Sequence, residues 1–318
     1  LRSVRHSLTY RATGLLENQS GHSYNAGVMI QPPETISHPF GTIAIVGVGL
    51  IGGSIALAAK SRGVAQTVIG VGRNALRLEQ ARRAGIIDEG LVDPTAAARR
   101  ADLLVFCTPV DRIAAGVREA AQTCCEGTLI TDVGSIKGSI ARGLAVGLPG
   151  GVAFVGSHPL AGSEQQGFQN ADARLFENRI CVVTPLVDSL PLAVEKIARF
   201  WEGLGMTVVE MTPEAHDAAL AETSHFPHLA AAALAGTLSA ENVSLAASGF
   251  RDTTRIASGD PDLWTAIFLA NRRPVLASLT KFDQVLAEFR QALEHNDAEG
   301  LKKLLVAAKE NRERNGKR

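Results

Sequence analysis

One stretch narrows the choice of fold more than any other: "TIAIVGVGLIGGSIALAAKSRG", residues 42–63. Thr42–Val46 is a β-branched apolar run of strand length. Gly47, Gly49 and Gly52 then follow as G-x-G-x-x-G, with Leu50 and Ile51 between the last two. Ser54–Arg62 is rich in Ala and Leu, Gly63 suits a helix C-cap, and "TVIGVG" (67–72) starts a new strand. Strand, glycine turn, helix and strand within roughly thirty residues is the setting a dinucleotide-binding turn requires. Gly47 permits the tight turn, Gly49 lets a pyrophosphate reach the backbone, and Gly52 lets helix and strand pack closely. The helix N-terminus then faces the phosphates. Gly47, Gly49, Leu50, Ile51 and Gly52 are therefore expected to bind a cofactor.

The end of the second strand bears on which cofactor. An acid there accepts hydrogen bonds from the ribose hydroxyls of NAD. This chain has Gly72, Arg73 and Asn74 instead. No carboxylate repels a 2′-phosphate, and Arg73 can pair with one. The expectation is NADP, with NAD as the alternative if Arg73 is only a solvated surface residue.

More alternating units follow. "ADLLVFCTPV" (101–110) is a buried strand ending near Thr108, with a helix over 111–122. "GTLITDVGSIKGSI" (127–140) is a strand, then Asp132–Lys137, then a helix. "VAFVGSHPLAG" is a strand ending just before His158, and residues 177–185 and 205–212 are further strands around a helix near 190–203. The expected architecture is α/β: a doubly wound, mostly parallel Rossmann-type sheet. Its C-terminal rim would gather Gly47–Gly52, Thr108, Asp132, Ser135 and His158, and Thr108 and Asp132 join the cofactor-facing set. After Thr212 the texture becomes helical, with helices over "EAHDAALAETSHFPHLAAAALAGTL", 261–291 and 296–311. The domains are thus drawn at 41–211 (dinucleotide-binding) and 212–318 (all-helical). Helices rich in Ala and Leu predict a homodimer that buries their outer faces.

Lys and Arg number 32, equal to Asp and Glu, and aromatic residues make up 5%. Neither nucleic acid nor an anionic membrane is therefore an expected partner. No apolar run is long enough to span a bilayer. The four cysteines, Cys107, Cys124, Cys125 and Cys181, form no CxxC pair and fit a reducing cytoplasm. Residues 1–40 are treated as a tail. Arg2, Arg5 and Arg11 with no acid before Glu17 give it a faint transit-peptide character, and translation is expected to begin at Met29.

Chemistry-bearing side chains gather in two places. "VGSHPLAGSEQQG" (155–167) surrounds His158 with Gly156, Pro159, Gly162 and Gly167, more small residues than a core imidazole needs. The helical part adds His216, Asp217, His225 and His228, and "SGFRDTTRIASGDPDLW" (248–264) adds Arg251, Asp252, Arg255 and Trp264. His216–Asp217 reads equally well as an exposed helix face, and Arg255 as a structural ion-pair residue. His225 and His228 share one helix side if the helix runs through Pro227, or flank a kink if it does not. The ligand types suit zinc, but the spacing matches no common zinc motif, so no metal is expected.

Five stretches together resemble the prephenate/arogenate dehydrogenases of tyrosine biosynthesis: "IVGVGLIGGSIALA", "TDVGSIK", "GSHPLAGSEQQG", "SHFPH" and "FRDTTRIASGDPDLW". The resemblance implies an N-terminal nucleotide-binding domain, a C-terminal helical dimerisation domain, and oxidative decarboxylation of prephenate with hydride passing to NAD(P)⁺. It implies that His158 is the catalytic histidine at the ring hydroxyl, that Ser135 assists there, and that Arg255 holds a substrate carboxylate. Glu164, His216, Asp217, His228, Asp252 and Trp264 match polar or gating positions around the substrate. Gly72 departs from the acid many members carry. The chain ends too soon for a regulatory ACT domain, so feedback control through one is not expected. Arogenate is the alternative substrate. A β-hydroxyacid dehydrogenase would need a lysine early in the helical domain, and residues 213–240 have none. A sensor that binds NADP without turnover is the reading from another class.

Overall fold

The computed structural model describes residues 39–162 and 165–315. Six parallel strands form the main sheet: β1 (Phe40–Val46), β2 (Ala65–Val71), β3 (Glu89–Leu91), β4 (Leu103–Phe106), β5 (Leu129–Asp132) and β6 (Ala153–Phe154). Their spatial order is β3-β2-β1-β4-β5-β6, the order of a dinucleotide-binding sheet. β1 and β4 are buried over most of their length because helices cover both faces. One face packs on α1 (Leu50–Ser61) and α6 (Pro191–Gly203), the other on α3 (Pro94–Ala98), α4 (Val110–Ala121) and α5 (Gly138–Gly143). α2 (Ala75–Arg83) starts on Asn74, whose side chain accepts from the Arg77 amide.

In the sheets the structure differs from the sequence expectation in three places. The strands over 180–184 and 207–210 do not extend the main sheet. With β7 (Gly156–Pro159) they form a second sheet, in which β7 runs antiparallel to β8 (Ile180–Thr184) and β8 parallel to β9 (Thr207–Glu210). The segment read as one strand ending before His158 is two, broken at Val155, and His158 lies within β7 opposite Val182. Gly156 makes the second pairing possible: a Cβ there would meet Thr184 Oγ1 at 2.6 Å. β3, only three residues long, is too short to show a period in the sequence.

The helical part begins with α7 (Pro213–Leu220), continues through a π-helical turn (Ala221–His225) into α8 (Phe226–Gly236), and then has α9 (Ser248–Thr254), α10 (Pro261–Ala270), α11 (Arg272–Glu294) and α12 (Ala298–Asn315). The helix therefore runs on through Pro227. Proline cannot donate to the preceding turn and its ring crowds the carbonyl four residues back. The wider π turn immediately before it absorbs that misfit. The stretch read as one helix over 261–291 is broken at Asn271. Residues 1–38, with the expected start at Met29, lie outside the described residues. Among the described residues no helix is long and apolar enough to cross a membrane.

Candidate active site

All six strands of the main sheet are parallel, so their C-terminal ends share one rim, and the glycine turn sits there. Gly47 has φ +106, and a Cβ on it would meet the Cys107 carbonyl oxygen at 2.7 Å. A Cβ on Gly52 would lie 2.2 Å from the Gly47 oxygen, which no adjustment of side chains relieves. A Cβ on Gly49 would meet nothing within 4 Å. Two glycines are thus required by the protein's own packing, whereas the third faces open space. Gly49 caps α1 without a side chain, and the first intrahelical bond goes from Gly53 to Gly49 at 2.9 Å. The amides of Leu50, Ile51 and Gly52 therefore open the helix with no acceptor behind them, as an anion site needs. Thr108, at the end of β4, has a buried Oγ1 with no hydrogen-bond partner among the described residues. These features fit a dinucleotide at the rim. Arg73 is exposed at the end of β2, and no described carboxylate pairs with it.

His158 stands close by. The loop after it returns to the glycine turn, so that a Cβ on Gly162 would lie 3.7 Å from Ile51 Cδ1. His158 Nδ1 is 2.9 Å from Nε2 of His216, and His216 Nδ1 is 2.9 Å from Oδ1 of Asp217. The Lys137 amide donates to Asp217 Oδ1 and the Gly138 amide to Oδ2, both at 2.8 Å. A carboxylate that receives two backbone amides acts as an acceptor for His216 as well. The direction of the row follows. With both rings neutral, His216 donates from Nδ1, its Nε2 accepts from His158 Nδ1–H, and His158 Nε2 keeps a free lone pair. Burial pushes the His158 pKa well below the usual imidazole value, and nearby His216, the Lys137 charge and His225 push the same way. His158 is thus a neutral imidazole with one nitrogen open to accept a proton. His216 and Asp217, expected to face the substrate, are instead buried behind it.

Asp132 also differs from expectation. Its carboxylate is wholly buried. Oδ2 pairs with Lys137 Nζ and accepts from the Gly134 amide at 2.8 Å, and Oδ1 accepts from the Ser157 amide at 3.2 Å. It is spent within the protein, closing the end of β5. Lys137, just as buried, also donates to the Ser157 carbonyl at 2.7 Å, directly before His158. Burial draws the Lys137 pKa down, against the pull of Asp132. Trp201 Nε1 bonds Ser157 Oγ at 2.9 Å and fixes the same residue from α6. The sequence signal for Lys137 was available: an acid and a lysine five apart where a strand ends. Ser135 is half-buried on the loop between them.

From the helical side, His228 stacks on Trp264 with ring centroids 3.5 Å apart, and His225 meets the same indole edge-on at 6.4 Å. Burial lowers the pKa of His225 to about 4 and also lowers that of His228. The charge on Arg255 adds to the depression at His228, which puts the two within electrostatic reach. Arg255 and Asp252 are exposed on the segment that covers α8, and among the described residues no carboxylate pairs with Arg255. Glu164 lies outside the described residues. The structure thus links 158, 216 and 217 directly, and places 225, 228, 264 and 255 in a second connected row.

A parallel sheet with a glycine cradle, beside a neutral histidine that can take a proton, defines a dehydrogenase of the dinucleotide-binding class. Comparison with known proteins specifies it further. The family description "Prephenate dehydrogenase, nucleotide-binding domain" matches residues 55–210, and "Prephenate dehydrogenase, dimerization domain" matches residues 212–307. A prephenate dehydrogenase of Bacillus subtilis is 36% identical over 86% of this chain and 75% of its own length. The crystal structure of Aquifex aeolicus prephenate dehydrogenase with hydroxyphenyl propionate and NAD⁺ superposes with a TM-score of 0.80, at 30% identity, over 86% of this chain and 98% of that one. The arogenate dehydrogenase of Synechocystis gives 0.76 at 31% identity, over 86% and 99%. The chain belongs to the prephenate dehydrogenase family, and it is an oxidoreductase with a nicotinamide-binding domain.

Proposed function

We propose that this enzyme converts prephenate to 4-hydroxyphenylpyruvate and carbon dioxide. The observation that carries the reading is the ordered row His158–His216–Asp217, which leaves an unprotonated Nε2 beside the glycine turn. When bound, the nicotinamide supplies the hydride acceptor. His158 Nε2 takes the proton of the ring hydroxyl as the carbon bearing it is oxidised. Carbon dioxide then leaves the opposite ring carbon, the ring becomes aromatic, and the proton returns to the oxygen. His216 and Asp217 hold the imidazole in register and need not lose a proton themselves. Arg255, exposed and without an acid partner, grips a carboxylate of the substrate with its planar fork. Ser135 assists at the hydroxyl, and His228, Trp264 and Asp252 line the approach; a substrate-binding role for Glu164 rests on its motif alone. Orientation of this kind lowers a barrier by several kcal/mol, on the order of 5 or more.

NADP is the proposed cofactor, because Arg73 stands free where an acid would select NAD. Arogenate, which differs only in carrying an amino acid side chain, passes through the same steps and is the second reading, favoured by the likeness to an arogenate dehydrogenase. Leu269 and Leu276, on α10 and α11, are exposed in the single chain, and a homodimer through this face is proposed to cover them. A cytoplasmic location is part of the same reading, supported by four cysteines that form no disulfide among the described residues. The deciding experiment follows absorbance at 340 nm with each substrate against each cofactor. Turnover of prephenate with NADP is the expected result. Tight cofactor binding with no turnover of either substrate would leave a sensor.

A further inference from the structure

The catalytic row is anchored twice, once in each part of the chain. In the nucleotide-binding part, the amides of Lys137 and Gly138 hold the Asp217 carboxylate. Gly138 has room for nothing more, since a Cβ there would lie 2.8 Å from Asp217 Oδ2. In the helical part the anchor is Asn271, the residue that separates α10 from α11. Its side chain is buried, and Nδ2 donates to the Asp217 carbonyl oxygen at 2.8 Å. The same Nδ2 is 2.9 Å from Nδ1 of His225.

These contacts fix protons as well as positions. A backbone carbonyl only accepts, so the amide nitrogen of Asn271, and not its oxygen, must face Asp217. That nitrogen has a second hydrogen, and it points at His225 Nδ1. His225 Nδ1 is therefore the acceptor, and its proton sits on Nε2. His225 is close enough to depress the protonation of His158, and its own protonation is depressed by His216 and His228 as well as by burial. A positive charge on His225 would act on every other imidazole of the site. Asp217, also in reach, pulls the opposite way.

We propose that Asn271 is a positioning residue of this enzyme: one side-chain amide fastens Asp217 behind the catalytic imidazole and, with its other hydrogen, locks His225 as the neutral Nε2–H tautomer. The proposal rests on the reading of His158 as the base, yet it makes a claim about His225 that holds whether or not that reading stands. Mere support of the α10–α11 corner would demand neither a particular tautomer nor a particular charge on His225.

The test is imidazole nitrogen NMR on the full-length enzyme labelled with ¹⁵N-histidine, with the His225 signals assigned by their loss in His225→Gln. The wild type should show His225 protonated on Nε2 alone and staying neutral down to about pH 4–5. Asn271→Ala should raise the His225 titration midpoint towards the ordinary imidazole value. It should also lower kcat roughly tenfold, a part of what a positioned base supplies, with cofactor affinity held within about twofold. Asn271→Asp offers an acceptor in place of a donor and should move the His225 proton to Nδ1. A wild-type His225 protonated on Nδ1 would overturn the proposal without any variant having to fold. So would an unchanged His225 titration and tautomer in Asn271→Ala. Failure of the underlying reading is distinguishable, because His158→Asn would then keep its turnover while the His225 signals behaved as described.

Discussion

The two sides of the proposed substrate site are built to opposite plans. On one side His158 is backed by buried His216 and Asp217, and the Asp217 carboxylate is tied to two backbone amides. Beneath them Lys137, Asp132, Ser157 and Trp201 form a closed network. On the other side Arg255 stands exposed, without an acid partner among the described residues, on a segment whose neighbouring helices show apolar side chains to solvent. On the proposed mechanism the difference follows from what each side handles. A proton moves over less than an ångström, and its direction depends on which nitrogen holds it, so the surroundings must be fixed before the substrate arrives. A carboxylate needs a cation that can reach out and close on it. Rigidity belongs with the proton and freedom with the charge.

The largest test of this contrast is His158→Asn. An asparagine keeps hydrogen bonding but has no basic nitrogen. On the proposed mechanism kcat should fall by about 10²–10⁴, with cofactor affinity unchanged in a direct binding titration. A near-normal kcat would remove the base from the mechanism. The buried imidazoles, His158 on this side and His225 at the start of the second row, should also reveal themselves in stability. His225 has its pKa lowered to about 4 and His158 lies well below the usual value, whereas both regain ordinary values near ~6.5 on unfolding. Between those limits the unfolded chain binds more protons than the folded one, so stability rises with pH. The contribution is complete above pH ~6.5 and is lost as pH falls towards 4, up to about 3 kcal/mol for His225. Urea midpoints measured across this range should drop on acidification, and His225→Gln should flatten the slope. An unchanged slope in that variant would mean that His225 is not held neutral.

Arg255→Gln tests the open side. Loss of a charge-assisted contact worth about 1.5–3 kcal/mol should raise KM for prephenate roughly ten- to a hundredfold, with a smaller effect on kcat. An unchanged KM would move the carboxylate contact to another residue.

The two sides also differ in how far the sequence reveals them. The cofactor cradle is local: Gly47, Gly49 and Gly52 lie within six consecutive residues, and the strand and helix that flank them have clear periods. His158 stood out for the same reason, through the small residues around it. His216 and Asp217 were legible only as positions around the substrate; their place behind His158 was not, because His216 lies 58 positions away and the pair read equally well as an exposed helix face. The Asp132–Lys137 pair and Asn271 were hidden differently. Each is a polar group inside an apolar stretch, and only the fold shows whether such a group is paired and buried or simply turned outward. The second sheet escaped because a single residue, Val155, separates two strands that run as one in the sequence. Asn271 also shows how a helix break can be a site feature, where pattern alone gives one continuous helix.

The smallest effect gives the finest discrimination between the sides. Salt screens exposed charges far more than buried ones, and at about 0.5 M the screening length falls to ~4 Å. If an exposed Arg255 draws in the substrate while the buried row only moves a proton, raising salt from about 0.05 M to about 0.5 M should raise KM a few-fold and leave kcat nearly constant. The comparison is made within one series, using prephenate with wild type and with Arg255→Gln at each salt concentration. In the variant the dependence of KM on salt should largely vanish, since the screened contact is already gone. A salt dependence that persists unchanged in Arg255→Gln would show that another cation receives the carboxylate. A kcat that falls with salt in the wild type would show instead that the histidine row is open to solvent ions, and the contrast between a sealed proton path and an open charge clamp would fail.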